Sequence, residues 1–454
     1  MNHFQHNHTS DLSASLSCNS TAQTSHAGQS FQLDGAAPEL GVDVKSILQR
    51  LLMREHYETA IEVALDLVDD HPDCLFLHYA LGTAYSNVGN ISETIHHCRK
   101  FIDIPADDST AAFKAANLVS IQNNLALALK DLGLLKQSEQ VFTSLLEENG
   151  DFVPALINYG NLLNDRARLD DAQRQFVRAI EVDPDNALAY WNLHSLAKDE
   201  DTARSILEFC LAKDPMNELA SLTLAGLHAL AGDDSHLREL AQNGYADNPL
   251  VRSIDWTLSL PKPPQIHFNR WSLFDAAIAR ADRDRPVYEF GVWMGNSLRY
   301  LIDSFPHGYG FDTFEGLPEN WHGLPPGTYS SFGVVPNILA AEFITGDFRD
   351  TLPTFFSEPR PKAGLINFDA DLYSSTITAL TCAAPVIDER TVLVFDELIV
   401  NQNWEKDEFR ALKEFCQANG LSCDVFAVSL FTKQVACMLR RNADDTGDDV
   451  GTGI

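Results

Sequence analysis

Basic residues are scarce in this chain: 33 Lys and Arg stand against 64 Asp and Glu in 454 residues, a formal charge of −31. That balance repels phosphate backbones and anionic lipid, which argues against nucleic acid or a membrane as a direct partner. No apolar run reaches the roughly 20 residues that a membrane-spanning helix needs. The N-terminus also lacks the basic-then-apolar layout of a signal peptide. The eight cysteines (Cys18, Cys74, Cys98, Cys210, Cys382, Cys416, Cys423 and Cys437) form no Cys-x-x-Cys pair and mostly sit in apolar surroundings. Free buried thiols in a reducing cytosol are therefore expected, not a disulfide or zinc framework.

Residues 1–40 hold no Lys or Arg and are rich in Ser, Thr, Asn, Gln and His. Such a stretch cannot bury enough apolar surface to order itself, so a disordered tail is expected, with His3, His6 and His8 offering at most adventitious metal binding. A second tail, 441–454, is acidic through Asp444, Asp445, Asp448 and Asp449 and is expected to be disordered too.

From about residue 41 to 251 the pattern is helical and repeats. In Val153–Asn186, Tyr159, Gly160, Leu163, Ala172, Phe176, Ala179 and Pro184 fall at positions 7, 8, 11, 20, 24, 27 and 32 of a 34-residue unit, and this spacing resembles the tetratricopeptide repeat. Small residues let two helices of a hairpin approach, the aromatic fills the groove between them, and Pro ends the second helix. The frame recurs from 119 (Leu125, Ala126, Leu129, Ser138, Phe142, Leu145), from 75 (Leu81, Gly82, Tyr85, Phe101) and, faintly, from 41 (Ala60, Pro72). A fifth unit near 187–217 is short, a sixth near 218–251 is degenerate, and an insertion at 109–118 separates the second from the third. A solenoid of such hairpins presents a groove, for which a protein partner or self-association is expected.

Residues 252–285 read as a linker broken by Pro261, Pro263 and Pro264, followed by a lead-in helix over Trp271–Ala281. From 286 to 440 short apolar strands alternate with helices, the sign of an α/β sheet. Strands are expected at Val287–Phe290, Gly308–Phe311, Phe343–Thr345, Ala363–Phe368 and Thr391–Phe395. A helix is expected over Trp404–Asn419, and then an antiparallel pair, Asp424–Ser429 and Gln434–Leu439. The first strand runs into Gly291-Val-Trp-Met-Gly295 and a helix beginning at the good N-cap residues Asn296 and Ser297. A strand, a Gly loop and a helix N-terminus bring backbone N–H groups close to a nucleotide-like ligand. The pattern Glu289-x-Gly291-x-x-x-Gly295 is neither the G-x-G-x-x-G of dinucleotide binders nor a phosphate loop ending in Gly-Lys-Ser/Thr. It resembles motif I of class I S-adenosylmethionine (SAM) methyltransferases.

Several strands deliver an acid at their C-terminal edge: Asp312, Asp347, Asp369 and Asp396-Glu397. In an open parallel sheet that edge is where ligands bind. Asp312 is placed to accept ribose hydroxyls, Asp347 with Phe348 to meet adenine, and Glu289 to orient the loop or reach the methionine amine. Asp369, Asp396 and Glu397, from neighbouring strand ends, suit a hard divalent ion such as Mg²⁺ that would acidify a substrate hydroxyl. Asp369 or Asp371 would then take the proton, and the sequence does not decide which. The loop 313–340, with Trp321, His322 and Tyr329, reads as a mobile cover, with His322 a candidate base.

The runs Phe311-Asp-Thr-Phe-Glu-Gly-Leu-Pro318, Gly346-Asp-Phe-Arg-Asp-Thr-Leu-Pro353, Phe368-Asp-Ala-Asp-Leu-Tyr-Ser-Ser-Thr376 and Phe395-Asp-Glu397, with the Gly loop, resemble the macrocin/mycinamicin-type O-methyltransferases over about 285–440. The resemblance implies a class I methyltransferase domain, a parallel sheet with a final antiparallel hairpin, and SAM-dependent, Mg²⁺-assisted methylation of a sugar hydroxyl. It implies metal ligation by Asp369, Asp396 and Glu397, although the family usually shows two aspartates where this chain has Asp396-Glu397. Two rivals stand beside this reading. One is a repeat adaptor with an inactive or regulatory SAM-binding domain. The other is a nucleotide-sugar oxidoreductase or epimerase, which the missing G-x-G-x-x-G and the missing Tyr-x-x-x-Lys disfavour.

Overall fold

The computed structural model describes residues 42–442. Both expected tails lie largely or wholly outside that span, as do His3, His6 and His8. The described chain forms two compact units, with the boundary at Ala189/Tyr190.

The first unit is built of helix pairs: α1 (Val42–Met53) with α2 (Tyr57–Val68), α3 (Leu75–Asn87) with α4 (Ile91–Asp103), α5 (Ala111–Asp131) with α6 (Leu135–Glu148), and α7 (Val153–Asp165) with α8 (Leu169–Val182). The repeat positions do what the frame requires. A Cβ on Gly160 would stand 2.4 Å from the Phe176 ring, so only glycine lets α7 and α8 close around that buried aromatic. Ala126 and Phe142 share the next cluster, and Gly82 faces Cys98, whose Sγ lies 3.0 Å from its would-be Cβ. The insertion at 109–118 is not a loop: most of it winds into α5, which runs 21 residues where α3 and α7 have 13 each. Asp107 starts it, accepting from the backbone N–H groups of Ser109 and Thr110.

The boundary falls within α9 (Ala187–His194), and the second unit continues with α10 (Glu200–Lys213), α11 (Glu218–Leu230), α12 (Ser235–Leu240) and α13 (Pro249–Leu258). The short fifth repeat is explained by α9, which has only eight residues. Leu222 and Ala225 of α11 and Leu250 and Ile254 of α13 share one hydrophobic core with the sheet that follows.

That sheet has eight strands: β1 (Gln265–Ile266), β2 (Val287–Phe290), β3 (Gly308–Asp312), β4 (Ala341–Thr345), β5 (Leu365–Phe368), β6 (Val392–Phe395), β7 (Leu421–Val428) and β8 (Val435–Arg441), in the order β1-β7-β8-β6-β5-β2-β3-β4. Strands β6, β5, β2, β3 and β4 run parallel, and β8 returns antiparallel against β6 and β7. β1 comes from the Pro-rich stretch read as a linker; it pairs parallel with β7 and had no legible signal at two residues. Between the strands lie α14 (Arg270–Arg280), α15 (Asn296–Ile302), α16 (Phe348–Phe356), α17 (Tyr373–Ala383) and α18 (Glu408–Asn419). The helix expected over Trp404–Asn419 is broken: a short 3₁₀ turn, Trp404–Lys406, precedes α18, and Asp407 between them is non-helical at φ −99°, ψ −126°.

The chain leaves β2 for β3 on one side and later returns to place β5 on the other. The topological switch point, where a crevice forms at the strand C-termini, is therefore between β2 and β5. Four fully buried phenylalanines, Phe395, Phe368, Phe290 and Phe311, face one another in register across β6, β5, β2 and β3 with ring centroids 4.8–5.4 Å apart. Each is followed directly by Asp396, Asp369, Gly291 or Asp312. Stacking of this kind fixes strand register, and here that register aligns the acids along one edge.

Candidate active site

The Gly loop lies at the switch point. Gly291 takes φ +87°, and a Cβ there would stand 1.8 Å from the Asp369 carbonyl oxygen at the end of β5. Gly295 takes φ +74° and is itself the N-cap of α15. Asn296 is already helical, so neither Asn296 nor Ser297 caps the helix as the sequence predicts; the left-handed glycine makes the turn one residue earlier. The loop therefore hugs the chain's own β5 end, which alone is reason enough for Gly291.

Asp312 is the anchor of this loop. Its Oδ2 accepts from the backbone N–H groups of Val292 (2.6 Å) and Trp293 (2.8 Å), and its Oδ1 from Phe314 (2.7 Å). A carboxylate has about four acceptor positions, so about one remains for a ligand hydroxyl. Asp347 caps α16 by accepting from the Arg349 N–H and is also clasped by the Arg349 guanidinium, which holds its carboxyl below the usual range. Arg349 is itself exposed. Phe348 packs edge-on to Phe290 at 5.9 Å.

Glu289 is buried in β2 opposite Asn367 of β5, whose Nδ2 donates to its Oε1 at 2.9 Å. Its Oε2 is buried with no partner. Burial pushes its carboxyl up to about 8.

At the ends of β5 and β6 the acids gather. Burial, then the neighbouring Asp396 and Asp371, hold the Asp369 carboxyl well above its ordinary value. Asp371 is raised likewise by burial, then by Glu397 and Asp396. Its φ of +60° is unusual for a residue other than glycine, a backbone strain of the kind that clusters at functional sites. Asp396 is buried and raised by burial, against the pull of Arg270, whose guanidinium donates to Oδ2 at 2.9 Å; Gln434 donates to Oδ1. Glu397 Oε2 accepts from Lys433 Nζ at 2.9 Å and from Asn401 Nδ2.

The donor chemistry, carboxylate oxygens only, fits a hard divalent ion. So does the charge, since two basic groups face a larger number of acids, and one buried oxygen each of Glu289 (Oε2) and Glu408 (Oε1) lacks a partner. Among the described residues no three His, Cys, Asp or Glu side chains stand together closely enough to hold an ion as they are. Asp396 and Glu397 are turned to their basic partners.

Sequence reading missed Arg270, Lys433, Gln434 and Glu408. Each lies far from the acids in the chain, and only the fold brings them in. The loop 313–340 is ordered against this region: Trp321 and Leu317 pack on Leu372, and Glu319 accepts from Ser374 Oγ at 2.6 Å. His322 does not face the acids as a free base would; its Nε2 is 2.8 Å from Asp407 Oδ2.

Residues 288–398 match the family described as "Methyltransferase domain". No curated protein matches the chain in sequence. Among solved structures, the O-methyltransferase NovP is 19% identical, covering 39% of this chain and 81% of its own, with a TM-score of 0.31. The calicheamicin methyltransferase CalS11 is 22% identical over 49% of this chain and 93% of its own, with a TM-score of 0.30. A tetratricopeptide protein of Thermus thermophilus is 14% identical over 41% of this chain and 98% of its own, with a TM-score of 0.33. Behind its helical repeats the chain carries a methyltransferase domain over residues 288–398.

Proposed function

We propose that the chain transfers the SAM methyl group to a hydroxyl of a sugar or glycan-containing acceptor. The observation that supports this most is the switch-point crevice, where the Gly291–Gly295 loop meets Asp312 on one side and the acids of β5 and β6 on the other. Asp312 offers its remaining acceptor position to a ribose hydroxyl. Asp347 and Phe348 flank the adenine, with Arg349 swinging out into solvent. The partnerless Oε2 of Glu289 suits the methionine ammonium, a cation that would offset the burial of that carboxylate.

Asp369, Asp396 and Glu397 would hold a Mg²⁺ ion. When bound, that ion supplies Lewis-acid polarisation of the acceptor hydroxyl. Asp371, held in its left-handed conformation beside Asp369, accepts the hydroxyl proton as the oxygen–carbon bond forms and the sulfonium–carbon bond breaks, leaving S-adenosylhomocysteine. Burial, then Glu397 and Asp396, raise its carboxyl, so its carboxylate form holds a proton more strongly than a solvated aspartate does. The sugar acceptor rests on the Asp369-Ala-Asp371-Leu-Tyr-Ser-Ser-Thr376 run and its neighbours. The repeats supply a surface for a protein partner or for self-association. The seven described cysteines stand outside any disulfide, which suits a reducing cytosol, and among the described residues no helix is long and apolar enough to cross a membrane.

The test is release of S-adenosylhomocysteine from SAM and a panel of sugar hydroxyls, with Mg²⁺ and with EDTA. Turnover that EDTA abolishes and Mg²⁺ restores is expected, with D371N at least 100-fold slower. EDTA-resistant turnover would remove the metal from this account.

A further inference from the structure

Helix α18 starts on Glu408, a fully buried carboxylate. An acid in a first helical turn is usually there for the helix, whose N-terminus favours negative charge at the surface. Glu408 does not fit that role. Its side chain reaches back 11 residues, and its Oε2 accepts the backbone N–H of Glu397 at 3.2 Å. Its Oε1 is buried without a partner. Its electrostatic neighbours are Asp371, Asp396 and Glu397, all acids. Asp407, the residue before, makes no side-chain cap on α18 either, because its carboxylate is taken by His322 of the loop 313–340. Burial of a carboxyl with a single neutral donor is unfavourable. Packing alone would be better served by an apolar side chain in that position.

The Glu397 end shows what the arrangement achieves. The Glu397 carboxylate is already held by Lys433 and Asn401. Glu408 holds a different part of the same residue, the backbone N–H just past the last residue of β6.

We propose that Glu408 is a positioning residue for the acid site: by fixing the Glu397 main chain it sets the pose in which the Glu397 carboxylate receives a divalent cation. The proposal rests on the metal reading given above and adds a residue to it. Glu408 needs only an oxygen to accept the N–H, so E408Q keeps the grip and E408A loses it.

The experiment uses the purified full chain and Mn²⁺ as the probe, with bound ion read by electron paramagnetic resonance, SAM affinity by calorimetry, and backbone protection by hydrogen exchange. E408A is expected to weaken Mn²⁺ at least tenfold while SAM affinity stays within twofold, and E408Q to recover to within threefold of the parent. E408A should also lose protection selectively in the segment 396–403. Parental Mn²⁺ affinity in E408A, or loss of protection spread through the whole domain, would overturn the positioning role. If the parent chain binds SAM but no Mn²⁺, the metal reading and the cation role fall together, whereas a parent chain that binds Mn²⁺ without regard to residue 408 overturns the Glu408 proposal alone.

Discussion

Glu289 shows how a single residue can be both misfit and purposeful. It is a buried acid with one amide partner, and its carboxyl is pushed up to about 8. The unfolded chain ionises near 4.3. The contribution of this group to stability is therefore fully present below that value and is lost as pH rises through 8. Asp369, Asp371 and Glu408 are shifted in the same direction, so they add to the same loss. The ligand-free chain should lose several degrees of Tm between pH 5 and pH 8.5, and E289Q should make that fall shallower. Thermal unfolding across the range checks this; an unchanged slope in E289Q would show that Glu289 does not titrate in this window. Sequence pattern placed Asp312, Asp369 and Asp396 at the C-terminal edge of the sheet, because each ends or directly follows a short apolar strand. It could not find Arg270, Lys433 or Glu408, since nothing local marks a residue that matters only through a contact more than ten positions away. Nor could it show the bond from His322 to Asp407, which is invisible without the loop's path.

Among the elements, the helix pairs and the strand ladder were legible for different reasons. The repeat frame is a spacing, and α7 with α8 realises it at the one point where a side chain has no room, Gly160 against Phe176. Gly to Ala within a helix ordinarily gains about 1 kcal/mol of propensity. Here the methyl would lie 2.4 Å from the ring of a buried Phe176, and overpacking of that kind costs about 1–3 kcal/mol. The clash should win: G160A should lower the Tm of the chain, and a raised or unchanged Tm would mean that α7 and α8 can move apart freely. In the sheet, the recurring Phe-Asp or Phe-Gly at each strand end was readable as strand followed by acid, and the stacked ladder explains why the register holds. The break at Asp407 was not readable, because Trp404–Asn419 has helical periodicity throughout. Only the bond from Asp407 to His322 and the burial of Glu408 reveal why the chain turns there.

At the scale of the molecule, the sequence suggested repeats up to 251 and a separate enzyme beyond. The folded chain divides differently, at Ala189/Tyr190, so the later helices α11 and α13 lie in the same unit as the sheet and share its core. Degenerate repeat positions there are understandable: Gly226 faces Ile254, with a would-be Cβ 2.6 Å from its Cδ1, and the surfaces answer to the sheet as well as to a neighbouring hairpin. The charge of −31 suits a small cationic ligand at an acidic crevice, and SAM, with its sulfonium and ammonium groups, is such a ligand. The measurement that tests the account most directly is a calorimetric titration of SAM into the purified full chain. The account predicts micromolar, one-to-one binding that D312A weakens at least tenfold by releasing the Val292–Trp293 loop. No SAM binding to a folded chain would contradict it and leave the helical repeats as the better account of what the protein does.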